Sequence, residues 1–386
     1  MGILTTLIYL RVQVDKLKEK NEKPRLQFRK STASKNSLPD SSLESADDFT
    51  FKIIQITDIH LGEQEDSDAG YEQDQKTWIM IDRVLEYESP DLIILSGDQV
   101  SANSCRSNAT DYYQMLGEHL SRHNIPWAMT FGNHDDMDYQ VPDSDETMPA
   151  KYSRQELLKV DQSFPLSLSQ AGPEGLFGVT NYFLDISIGN ENIPAARIFI
   201  FDSGGGSLPQ AIEVDQIEWF WNQSTSSSSD LYKNIPAVAF QHIPTSDFYF
   251  NDFLCQGIQN EGIGHIQEDA GLAQALSDAG NVHFLAVGHG HTNDFCCPYS
   301  ASMQICYGRK SGYGGYGDLE RGSRVYELTI SQQYDDDQQR ISSFHWKSWV
   351  RLESGPIIHN VDHPVSVEAQ QVGRREEGTP LATGRQ

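Results

Sequence analysis

The sequence predicts an α/β layered protein whose strands become antiparallel toward the C-terminus. Three observations carry this reading. Short apolar runs alternate with helical patterns through the middle of the chain. One of those runs, DLIILSG (91–97), is apolar without a break, as a strand covered on both faces should be. The last apolar runs then follow one another with no helical pattern between them.

Taken in order, FKIIQIT (51–57) reads as a strand. KTWIMIDRVLEYE (76–88) reads as a helix, with Trp78, Ile81, Val84 and Leu85 at helical spacing. After the DLIILSG strand, ATDYYQMLGEHLSRH (109–123) is a helix and IPWAMTFG (125–132) a strand. An insertion, MDYQVPDSDETMPAKYS (137–153), interrupts the alternation as a rim or a tolerated loop. TNYFLDISI (180–188) and RIFIFDS (197–203) are strands, and VDQIEWFWNQ (214–223) is a helix. PAVAFQ (236–241) is a strand, GLAQALSDAG (271–280) a helix closed by Gly280, and VHFLAVG (282–288) a strand. MQICYG (303–308), SRVYELTI (323–330) and ISSFHWKSWVRL (341–352) complete the strands.

Residues 31–48 are Ser-rich and poor in apolar side chains, so they read as a linker. The C-terminal stretch ending GRREEGTPLATGRQ reads the same way. The expected organisation is an N-terminal hydrophobic and basic segment with its linker (1–48), a folded domain (49–362) and a disordered tail (363–386).

The chain carries a net charge of −26, which repels phosphate backbones and excludes a broad nucleic-acid surface. Residues 1–30 run against this trend at +5. Their apolar run, Ile3 to Leu10, is too short to span a bilayer. It reads as a frayed tail, as the stub of a membrane-anchoring signal, or as a myristoylation site on Gly2 with Thr6 in the matching position. Together with the sequons at Asn108 and Asn222, this favours a secretory or membrane-anchored location over the cytoplasm.

Five predicted strands end in ligand-type side chains. The first ends in Asp58 and His60, the second in Asp98, and the third in Asn133, His134 and Asp135. The PAVAFQ strand ends at His242, and VHFLAVG ends at His289 and His291. In an open α/β sheet, ligands gather at the carboxyl ends of strands, so these residues can converge. Asp, Asn and His without thiolates suit Mn, Fe or Zn. Asp58, His60, Asp98, Asn133, His242, His289 and His291 are too many for one ion and enough for two, if Asp98 bridges. Two metals about 3.5–4 Å apart form a clamp for in-line displacement at phosphorus.

The ordered set Asp-x-His, Gly-Asp, Gly-Asn-His-Asp, His and Gly-His-x-His resembles the calcineurin-like metallophosphoesterase superfamily. FGNHDD, QHIP, DFCCPY and SGYGGYGDLERGSRVYEL look like its low-molecular-weight purple-acid-phosphatase-like members from plants, protists and fungi, over about residues 50–350. The resemblance implies a four-layer α/β/β/α sandwich of two mixed sheets. It implies Asp58, His60, Asp98 and His291 on one metal, and Asp98, Asn133, His242 and His289 on the other, with two divalent or trivalent ions (Fe, Mn or Zn). It gives His134 the role of proton donor to the leaving oxygen, oriented by Asp135, and metal-bound hydroxide that of nucleophile. The activity it implies is a phosphatase acting on a phosphorylated small molecule or a phosphoprotein. A phosphodiesterase on the same site, or a catalytically silent metal-binding scaffold, are the alternatives. In the true purple enzymes Gly stands where this chain has His60, and a Tyr ligand stands where it has Ser101. A tyrosinate–iron charge-transfer band therefore has no donor here.

Other features are read more plainly. His119 and His123 lie four apart, but no third ligand accompanies them in sequence, so they are taken as an exposed helical face. Gly204 to Gly206 form a turn. Cys296 and Cys297 adjoin the last histidines, and pairing with Cys306, Cys255 or Cys105 is left open alongside free thiols. In the loop GRKSGYGGYGD (308–318), Arg309 is expected to hold a phosphate oxygen and Tyr313 to wall the substrate. A glycine-rich connection between strands is the alternative.

Overall fold

The computed structural model describes residues 23–31, 47–105, 108–141, 144–189, 194–225, 235–249, 254–334 and 340–363. The apolar N-terminal run, most of the Ser-rich linker and the C-terminal tail lie outside these residues.

The architecture turns on two strands, β1 (Leu26–Lys30) and β2 (Asp47–Ile56). One edge of β2 is shared. β1 pairs antiparallel with its first half, Arg29 opposite Thr50. Strand β3 (Leu92–Ser96) pairs parallel with its second half, Ile53 opposite Leu92. The sheet forks at this point. One branch runs from β2 through β3 to β4 (Trp127–Thr130). The other runs through β1, which pairs on its far side with β5 (Tyr182–Ile188). Beyond β5 come β6 (Ala196–Ile200), β7 (Ala237–Phe240) and β8 (Val282–Val287). The edge is made by β9 (Cys296–Pro298) and β10 (Gln304–Tyr307), β10 lying beside β8. On the opposite edge of β2 lie β11 (Gly322–Tyr334), β12 (Arg340–Leu352) and β13 (Ile357–His363), all antiparallel.

The sequence placed the start of the folded domain at about residue 49. β1 extends it, because its backbone joins both branches and Leu26 and Phe28 are buried between them.

Alternation along each strand builds four layers. Phe51, Ile53, Leu92, Ile94, Tyr326, Leu328 and Trp346 meet Ile186, Ile198, Ile200, Val238, Phe240 and Phe284 in one core between the two branches. The intervening residues Ile54, Ile56, Ile93 and Leu95 face helices α1 (Asp68–Glu88), α2 (Ala109–Ser121) and α3 (Arg154–Gln162). Phe199, Ala237, Ala239 and Leu285 face α4 (Val214–Thr225) and α5 (Leu272–Asp278). The two sheets implied by the resemblance are thus present, and β1 makes their hydrogen bonding continuous.

α1 begins earlier than its apolar spacing suggested, because Ser67 caps it by accepting from Gly70 N at 3.0 Å. Its Asp74 faces inward and accepts weakly from Gly62 N at 3.3 Å. Burial, then that hydrogen bond in the opposite sense, then Glu63 and Glu65, leave its carboxyl raised to about 7. The folded value lies above the unfolded one, so Asp74 favours the fold most below about pH 4, and that contribution is lost as pH rises to about 7. Asp74→Asn should therefore melt higher than the parent at pH 8, with the gap closing toward pH 4. A melting series across that range checks it, and equal melting at pH 8 would contradict it.

Candidate metal centre

The strands β2, β3 and β4 of one branch are parallel to each other, as are β6, β7 and β8 of the other. Asp58 and His60 follow β2, Asp98 follows β3, and Asn133 and His134 follow β4. His242 follows β7, and His289 and His291 follow β8. The expected convergence occurs, with a geometry the sequence did not reveal.

Two sets of ligand atoms form, each with its members within 4.8 Å of one another: Asp58, His60, Asp98 and His291, and Asp98, His242 and His289. Asp98 belongs to both. Its Oδ1 accepts from His134 N at 2.7 Å, which brings Asn133 and His134 to the same place. Four fully buried polar atoms here have no hydrogen-bond partner, Asp98 Oδ2, Asn133 Oδ1, His134 Nδ1 and His242 Nε2, the first and last facing each other only as an ion pair at 3.2 Å. Leaving such atoms unpaired is costly unless something else occupies them. The donor set, all nitrogen and oxygen, fits a pair of transition-metal cations.

Backbone and hydroxyl partners aim the rings. His242 Nδ1 lies 2.8 Å from Ser96 O and His291 Nδ1 lies 2.9 Å from Tyr316 O. A carbonyl only accepts, so each Nδ1 carries the hydrogen and each Nε2 turns inward. His60 Nδ1 sits 3.0 Å from Ser101 Oγ, and its Nε2 faces His291 Nε2 at 3.1 Å. The two departures from the purple enzymes are therefore one arrangement, Ser101 steering His60.

Electrostatics favour ionised carboxylates. Burial would raise Asp58, but the hydrogen bond and charge of His291, with His242, hold it well below the carboxylate range. Asp98 is likewise held low against burial, chiefly by His242 and then His134. His242 is raised to about 9, because Asp98 outweighs the burial that would lower it. Burial, then Lys310, keeps His60 well below its ordinary value, and burial with His242 brings His289 down to about 4.

Four of these ligands, Asp58, His60, Asp98 and His289, have φ between 52° and 72°, the left-handed region. Such strain gathers at functional sites. Gly97, just ahead of Asp98, has φ +100°, and a Cβ there would lie 2.7 Å from His242 Cβ. Only glycine lets that ring approach.

The family profile described as Calcineurin-like phosphoesterase matches residues 51–293, which holds every one of these ligands. The chain belongs to the calcineurin-like phosphoesterase family. Its sequence is 29% identical over 363 residues to "Probable inactive purple acid phosphatase 28" of Arabidopsis thaliana, covering 85% of this chain and 86% of that protein. It is 27% identical over 345 residues to "Phosphatase DCR2" of Saccharomyces cerevisiae, covering 81% of this chain and 56% of that one. Among solved structures, a dimetal phosphatase from Danio rerio aligns at TM-score 0.45 and 13% identity, over 76% of this chain and 98% of that one.

Within this site, three expectations need correction. Asp135 does not orient the His134 ring. Its carboxylate accepts from the backbone of Asp98, Gln99, Val100 and Gly132 and from Tyr113 Oη, at 2.7–3.1 Å. It braces the loop that presents Asp98, and His134 Nδ1 has no hydrogen-bond partner. Arg309 is buried, with Nη1 2.6 Å from Asp294 Oδ2 and Nε donating to Glu320 O. Its charge is consumed in the fold and holds no phosphate. Tyr313 gives its hydroxyl to Glu353 at 2.5 Å and so ties the loop to the strand end.

The glycine-rich loop does wall the site, through other residues. Lys310 donates to Asp58 O at 3.1 Å, and burial brings its ammonium down to about 7. Gly315, φ +69°, lies so close that a Cβ would sit 2.8 Å from His291 Cε1 and 3.1 Å from Lys310 Nζ.

Sequence reasoning missed Arg154. Its guanidinium is buried against Asp136 and Asp202 and donates to Gly132 O, Gly204 O and Gly205 O. The Gly204–Gly206 turn it gathers packs on Asn133. Helix α3 carries it, announced by a capping box between Ser153 and Glu156. Finally, Cys255 pairs with Cys297 and Cys296 with Cys306, tying down the segment after His291, while Cys105 is free and buried.

Proposed function

We propose that the chain is a phosphatase that hydrolyses phosphomonoesters at a dinuclear metal centre. The observation that supports this best is the pair of ligand sets sharing Asp98. Asp58, His60, Asp98 and His291 would hold one ion, and Asp98, Asn133, His242 and His289 the other. Bound there, Fe, Mn or Zn would supply charge neutralisation at phosphate oxygens and an activated water.

The chain's own groups do the rest. Asp98, braced by Asp135, sets the spacing of the two sets. Asn133 is seated by the Gly205 turn and Arg154. The 310–317 loop covers the first set and keeps water from its flank. His134 is half-buried beside the His60 ring, centroids 4.8 Å apart, with its backbone N on Asp98. From there it would deliver a proton to the leaving oxygen.

The substrate classes that suit this reading are a phosphorylated small molecule and a phosphoprotein. The test is metal-loaded protein assayed on p-nitrophenyl phosphate and on its bis ester. Faster turnover of the monoester, abolished by chelation and restored by metal, is expected. Hydrolysis of the diester alone would make it a phosphodiesterase. Two bound metals with no turnover of either would make it a scaffold.

A further inference from the structure

The sequence left His119 and His123 as an exposed face without a third ligand. The structure supplies one and buries the first histidine. His119 Nε2 lies 2.7 Å from Asp82 Oδ1, and His123 Nε2 lies 2.8 Å from the same oxygen. Asp82 comes from α1, across from the C-terminal turn of α2. Among the described residues outside the centre above, this is the further group of ligating side chains whose atoms all lie within 4.8 Å of one another.

We propose that Asp82, His119 and His123 form a second, independent site for a borderline transition-metal cation of the Zn2+ class, which clips α1 to α2. Three features carry this. His119 lies in the last turn of α2 and His123, four residues on, in the turn that continues it through a bond from His123 N to Leu120 O, so both imidazoles are presented to one place. Both Nε2 atoms point at a single carboxylate oxygen, so one cation can replace the two protons that now hold the three together. And the set is built on one side and open on the other. His119 is 7% exposed and packs on Trp78 at 4.7 Å, whereas Asp82 is about half exposed and leaves room for entry and for water ligands.

The chemistry selects the ion. Two imidazoles and one carboxylate suit Zn2+, Co2+, Ni2+ or Cu2+ and disfavour Mg2+ and Ca2+, which prefer all-oxygen shells. Ligand atoms around Zn2+ at about 2.0–2.1 Å stand roughly 3.3 Å apart in a tetrahedron. The set therefore opens by about half an ångström, which the exposed Asp82 side chain can provide. Glu118 lies in the same groove and adds negative charge, and Arg122 opposes it. With Asp82 counted, the local balance favours a cation.

This site stands apart from the phosphoester reading, and its test separates the two. The full chain is stripped with chelator, reloaded with Zn2+, passed through gel filtration and analysed for bound metal. The parent is expected to retain one more equivalent per chain than His123→Gln or Asp82→Asn, with turnover on p-nitrophenyl phosphate unchanged. Both changes lie at the surface, and circular dichroism confirms folding. Cu2+ should quench a component of tryptophan fluorescence that is lost in Trp78→Phe, and Mg2+ should not. Equal metal content in parent and both variants, with equal Cu2+ quenching in Trp78→Phe, would overturn the site whether or not the enzyme turns over.

Discussion

Asp98→Asn is expected to reduce bound metal at the centre from two ions per chain to one or none and to bring phosphomonoester turnover down to that of chelated protein. The change keeps the shape of the side chain and removes its charge. Asp98 is the member common to both ligand sets, and its Oδ2 is buried without a hydrogen-bond partner. An amide can offer one oxygen but does not neutralise two cations. The loss is several kcal/mol of charge stabilisation. At about 1.4 kcal/mol per factor of ten, turnover falls at least about 10³-fold. Metal analysis and single-substrate kinetics on the same preparation check both halves. A variant retaining two ions and most of its turnover would remove Asp98 from the bridge.

His134→Ala should behave differently. Metal content is expected to stay at the parent level, because the ring offers no atom to either ligand set. Turnover should fall by about 10²–10⁴-fold, the usual contribution of a positioned acid. The fall should depend on the leaving group. An alkyl phosphate, whose alkoxide must be protonated as it departs, suffers most, and p-nitrophenyl phosphate, whose phenolate leaves readily, suffers least. Equal losses on both would leave His134 a positioning residue. Loss of metal would make its role structural.

The strands were legible because burial on both faces leaves unbroken apolar runs such as Leu92 to Leu95. The ligands were legible because they stand at the ends of those runs. What stayed hidden was direction. Arg309 and Lys310 are neighbours in the chain, yet one turns to Asp294 and the other to the Asp58 carbonyl. Asp135 follows His134 but reaches back to the 98–100 backbone. Asp82 completes a cluster with residues far along the chain, so no local pattern announces it. β1 holds only Leu26 and Phe28 as inward residues among charges, too short a signal to separate from its basic surroundings. The capping box ahead of Arg154 was readable, and the helix it opens lay just beyond a stretch taken as an insertion.

The left-handed backbone at Asp58, His60, Asp98 and His289 bears on the stability of the fold. Asp and His tolerate that region better than most side chains, but glycine would sit there with less strain. Glycine at Asp58, Asp98 or His289 would relieve roughly 1 kcal/mol or more of backbone strain each but would remove a ligand, whereas at His60 it is what the true purple enzymes carry. The four side chains thus set backbone strain against the supply of ligands: the fold is less stable for presenting these groups at the strand ends.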